Sequence, residues 1–120
     1  MRIASWNLLH GLGIPDGKYD HDRLIANAQL FSEMDLVALQ EVDQGQPRTQ
    51  LDHQAEIVGE AMSLPYHAFS PALFGTPGEK WQSAHDPDLP QFGVALLSRR
   101  APLTIHHFTM KGAPFGAPLF

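Results

Sequence analysis

Apolar positions along this chain recur at two spacings, and the switch between them outlines alternating strands and helices. From Arg2 to Leu9 the side chains alternate, Ile3, Ser5, Asn7 and Leu9 to one side and Ala4, Trp6 and Leu8 to the other. That is the period of a strand. His10 to Tyr19 holds Gly11, Gly13, Pro15 and Gly17 and reads as a loop. Asp20 or Asp22 can then cap a helix running to about Glu33, with Leu24, Ile25, Ala28 and Phe31 on one face. Next, Leu36 to Leu39 with Val42 forms a short apolar run led in by Asp35, the pattern of a strand buried on both faces. A strand–helix–strand unit of this length closes as a right-handed crossover and lays its strands parallel. Asn7 and Glu41 are therefore expected near the same end of one sheet.

The second half repeats the theme less regularly. Gln44 to Gln50 is a polar loop, and Leu51 to Met62 predicts a second helix from the spacing of Leu51, Ala55, Val58 and Met62. Tyr66 to Phe74 reads as a strand which Pro71 makes an edge or bulged one. Gly75 to Pro90 reads as a long loop, Phe92 to Ser98 as a buried strand and Leu103 to Met110 as a further strand. The tail from Lys111 to Phe120 carries no closing element. The expected class is α/β, in one domain at most for 120 residues.

The strand around Glu41 is unusual in where it stops. Desolvating an unpaired carboxylate is expensive, so Glu41 must reach solvent, pair with an arginine or hold a cation. The C-terminal ends of strands are where α/β folds place their chemistry. The Gly11-Leu12-Gly13 loop also follows a strand, as a dinucleotide fingerprint would. Its third glycine, Gly17, comes one place late, and Pro15 interrupts it.

Composition narrows this little. A hydrophobic content of 43% with 18% charged residues is ordinary for a globular domain. No apolar run is long enough for a membrane span, and the N-terminus lacks the apolar core of a signal peptide, so a cytoplasmic location is the default expectation. The absence of cysteine excludes disulfides and thiolate chemistry. A net charge of −5 argues against extensive DNA binding, yet a site holding a divalent cation takes its positive charge from the metal.

Three segments carry a resemblance. Ser5-Trp6-Asn7-Leu8-Leu9-His10-Gly11, Asp35-Leu36-Val37-Ala38-Leu39-Gln40-Glu41-Val42 and Phe92-Gly93-Val94-Ala95-Leu96-Leu97-Ser98-Arg99 occur in this order. Together they resemble the N-terminal part of the endonuclease/exonuclease/phosphatase superfamily, the DNase I-like proteins. The resemblance implies a metal-dependent phosphoesterase on a four-layer α/β sandwich. Residues 1–120 would be the N-terminal part of that domain, about its first half, with the C-terminal part missing. It implies that Glu41 binds the catalytic Mg2+ or Mn2+ and that Asn7 lies in the same site, near metal and phosphate. Mg2+ takes one or two carboxylates alongside water and substrate oxygens, which suits a lone glutamate beside a neutral amide.

Arg48 is a candidate fork donor to a substrate phosphate, with pairing to a carboxylate as the ordinary alternative. His10 either lines the site or is an exposed loop histidine. Asp43 and Asp52 read as surface or capping residues, with a contact behind the metal-holding residues as the lesser alternative. His106 and His107 would alternate across a strand and cannot both face one metal. The family also uses a Gly-Asp-x-Asn turn and a Ser-Asp-His tripeptide, neither of which occurs in this sequence. The expectation is therefore hydrolysis of a phosphate mono- or diester by a site incomplete as it stands. The alternative is a non-catalytic remnant or assembly module of the same fold. Half a sandwich would leave one sheet face bare, so pairing with a second chain is expected to cover it.

Overall fold

The computed structural model describes residues 1–31 and 33–110. The expectation for the Lys111–Phe120 tail lies outside the described residues. Strand β1 (Ile3–Asn7) leads through a tight turn at Leu9–Gly11 to helix α1 (His21–Gln29), then β2 (Leu36–Gln44). A second tight turn at Pro47–Thr49 precedes α2 (Gln54–Ala61), and β3 (Tyr66–Thr76), β4 (Lys80–Gln82) and β5 (Gln91–Ser98) follow. The strands form one sheet in the order β1-β2-β5-β3-β4. β1 and β2 are parallel, with Asn7 beside Gln40, as the crossover requires. The remaining pairings are antiparallel.

Both helices pack on the same face of the sheet. Leu24 and Ala28 of α1 and Ala55 and Val58 of α2 join Val37, Leu39, Val42, Ala95 and Leu97 in one buried cluster. The Asp20 side chain caps α1 by accepting the Arg23 N–H. The helix stops at Gln29, short of the expected Glu33, where the Leu30 N–H turns back to the Asn27 carbonyl. α2 starts at Gln54 rather than Leu51 because Gln50 and Leu51 both adopt left-handed backbone, each at φ 61°. Residues so placed cannot begin a right-handed helix.

Two further expectations change. The Gly75–Pro90 segment is not all loop. β3 continues to Thr76 and folds back on β4 through Pro77 and Gly78, with Gly78 at φ 84°. Pro-Gly between two extended stretches is a turn signal. Leu103 to Met110 forms no strand. Ile105 to Phe108 and Met110 border the same hollow as Ala38, Ala68, Val94 and Leu96, on the face away from the helices. A segment laid across a sheet face meets side chains, not the unpaired N–H and C=O groups a ladder needs. His106 and His107 are accordingly exposed. The bulge expected near Pro71 is present, as a register shift between Pro71 and Leu73.

Candidate active-site rim

Parallel pairing sets the end of β1, Asn7, beside Gln40, but β2 does not stop at Glu41 as expected: it runs on to Gln44 against β5, and one irregularity shapes what it presents. Leu39 pairs with Ala95 and Val42 with Gly93, so β2 carries one extra residue over this interval. That is a β-bulge. Glu41 sits in it with left-handed backbone, φ 54°. The strand's parity flips across the bulge: Val37 and Leu39 face the core before it, and Val42 does so after it. On the neighbouring strand, Gly93 makes the close approach possible. A Cβ there would lie 2.1 Å from the Ser70 carbonyl oxygen. β5 thus passes between the bulges of β2 and β3 at a residue with no side chain.

Asn7 and Glu41 meet at this rim. The Asn7 Nδ2 donates to Glu41 Oε1 at 3.1 Å, and Asn7 Oδ1 accepts the Leu9 N–H at 3.0 Å. The second bond fixes which end of the amide faces the glutamate. Among the described residues Glu41 forms no ion pair, and its Oε2 has no hydrogen-bond partner. No cluster of three or more His, Cys, Asp or Glu side chains that could hold a metal occurs among the described residues. What the rim offers is one unpartnered carboxylate oxygen, on a partly buried glutamate, beside a neutral amide. Such a donor set suits a hard cation that keeps most of its water, and not a tetrahedral zinc centre.

Beside the rim, the carboxylate that pairs with an arginine is Asp43, two residues further on. It is fully buried, contrary to the surface or capping place expected for it. Arg48 grips it bidentately, Nε to Oδ2 at 2.9 Å and Nη2 to Oδ1 at 2.7 Å, and the Thr49 hydroxyl donates to Oδ2 at 3.0 Å. The Arg48 guanidinium also lies over the Phe92 ring, 5.6 Å from its centroid. Arg48 thus takes the carboxylate-paired alternative, with two of its three nitrogens committed. His10 is half-buried beside this group. Burial, then the Arg48 charge, lower its pKa, while Asp43 and Glu41 pull the other way.

Sequence reasoning missed the polar layer behind the rim. Gln54 is fully buried and both ends of its amide are used. Gln46 is also fully buried, donating to the Gly75 carbonyl at 2.8 Å. Asp52 accepts from the Tyr19 hydroxyl and pairs with His21 Nδ1 at 2.8 Å, which raises the His21 pKa. The bulge left only a weak trace in the sequence: the apolar run from Leu36 to Leu39 is interrupted by Gln40-Glu41 and resumes at Val42.

The Endonuclease/Exonuclease/phosphatase family model matches residues 4–116. Two solved structures share the fold. One is an endonuclease/exonuclease/phosphatase family protein from Leptotrichia buccalis C-1013-b, 19% identical with a TM-score of 0.54, over 84% of this chain and 38% of that one. The other is an endonuclease/exonuclease/phosphatase from Beutenbergia cavernae DSM 12333, 23% identical with a TM-score of 0.57, over 84% of this chain and 26% of that one. This chain therefore spans well under half the length of either. No curated protein matches it.

Proposed function

The chain belongs to the endonuclease/exonuclease/phosphatase family, and from that premise we propose that its β1–β2 rim serves metal-dependent hydrolysis of a phosphate mono- or diester. Glu41 would hold Mg2+ or Mn2+ through the oxygen that Asn7 leaves over. A bound divalent ion supplies positive charge to a phosphoryl oxygen and to the leaving oxygen. Asn7 orients the carboxylate through its 3.1 Å bond and is itself held by the Leu9 N–H. Placing Asn7 as a direct ligand needs its one remaining oxygen lone pair. His10 and Arg48 are the proposed substrate contacts from the chain side, His10 as a largely neutral ring and Arg48 through the nitrogen that Asp43 leaves over. The observation that carries the reading is the Asn7–Glu41 pair with Glu41 Oε2 unpartnered among the described residues.

Titration with Mn2+ and turnover of a generic phosphodiester in Mg2+ test it. Glu41→Gln should abolish turnover and weaken Mn2+ binding by ~100-fold, the upper end of what losing a ligand's supporting partner produces. Unchanged Mn2+ affinity in Glu41→Gln would sink the assignment.

A second reading, a non-catalytic module of the same fold, is favoured by the sheet face away from the helices. Ile3, Val94 and Leu96 are 63%, 48% and 51% exposed there. Turnover separates the two: a module should sediment as a dimer which Leu96→Lys dissociates, and should hydrolyse no phosphodiester in Mg2+.

A further inference from the structure

Backbone that L-residues rarely adopt occurs at one rim residue and just beyond the other. Glu41 is left-handed, and so are Leu9 and His10 just beyond Asn7, at φ 49° and 42°. Such conformations persist only where the surroundings over-determine them. A single side chain reaches both stretches. Gln54, the first residue of α2, accepts the Asp43 N–H through Oε1 at 2.9 Å and donates from Nε2 to the His10 carbonyl at 2.8 Å. It is fully buried, and its amide lies directly under Gly11, where a Cβ would come within 3.1 Å of Nε2.

We propose that Gln54 is a positioning residue for the rim, a brace that sets the distance between Asn7 and Glu41 by tying the strand just after one to the turn just after the other. This rests on the reading of Glu41 as the metal-holding residue. The chemistry of the brace is specific to an amide. One end must accept and the other donate, so a carboxylate of the same size satisfies Asp43 but faces the His10 carbonyl with a second acceptor. A thioether of the same length satisfies neither. The brace also explains why this buried glutamine stands in a helix whose other buried positions are apolar or glycine.

The experiment compares Gln54→Met and Gln54→Glu with Val58→Ala, a cavity change in the same helix at a residue that is equally buried. Mn2+ affinity, thermal midpoint and the exchange rate of the Leu9 N–H, which Asn7 holds, are measured on the full chain. Both Gln54 variants should weaken Mn2+ binding by about 10-fold or more and speed Leu9 exchange. Val58→Ala should lower the midpoint while leaving affinity and Leu9 exchange unchanged. If Glu41→Gln loses Mn2+ binding but Gln54→Met stays within about twofold of the parent, the brace is refuted and the metal reading survives. If Glu41→Gln binds Mn2+ normally, the metal reading falls. The brace is then decided by Leu9 exchange alone, faster in Gln54→Met than in Val58→Ala if it stands, equal if it does not.

Discussion

The two faces of the central strands are built from alternate residues of the same segments, yet they behave as different materials. Towards the helices, Val37, Leu39, Ala95 and Leu97 are between 0% and 3% exposed. On the opposite side Val94 and Leu96, their immediate neighbours in the chain, remain about half exposed, covered only in part by residues 102–110. Burial of apolar area is the main favourable term in folding, so the helix-side face carries most of the stability. The rim with Asn7 and Glu41 stands where β1 ends beside the bulge of β2, and its geometry is imposed by polar bonds and tight backbone approach more than by packing.

The sharpest way to break this comparison is truncation of one residue on each face. Leu39→Ala should cost about 2–5 kcal/mol in urea unfolding, as a fully buried leucine does, whereas Leu96→Ala should cost less than about 1 kcal/mol. Equal losses would mean that the far face is packed in solution, by a second chain or another segment. Gly93→Ala comes next. Its added methyl must push the Ser70 carbonyl aside, at about 1–3 kcal/mol, and should shift rim resonances in NMR more than Leu39→Ala does.

The smallest effect is on pH dependence. Above the unfolded imidazole value of about 6.5, His10 is neutral in both states. As pH falls below that, the unfolded chain takes up a proton which the folded ring resists, so stability drops until the lowered folded value is passed. His21 has the opposite sign. Its raised pKa gives a contribution fully present below the unfolded value and lost as pH rises through the folded one. His10→Gln should therefore lessen the acid-side loss and His21→Gln should deepen it, read from urea midpoints between about pH 5 and 8.

What could be read from the residues follows from what periodicity encodes. The parallel β1–β2 pair and the meeting of Asn7 with Glu41 were legible because strand period, helix length and crossover handedness constrain each other. The start of α2 was not, since nothing in Gln50-Leu51 announces two left-handed residues and Leu51 fits the helical spacing. Leu103 to Met110 misled for a related reason: an apolar-rich run describes contact with a face as well as membership of a ladder. The burial of Asp43 and Gln54 was invisible because polar residues inside are recognised by their partners, and those partners come from other elements.

Glu41 belongs to no rung of the β2–β5 ladder. Its replacement therefore breaks no rung of that ladder, and what limits the choice of residue there is the left-handed backbone, φ 54°. Removing the residue outright has the reverse consequence: Val42 would swing out to water and the Asp43–Arg48 clasp would be wrenched from its pocket. The letter can change without unpairing the sheet, but it cannot be erased.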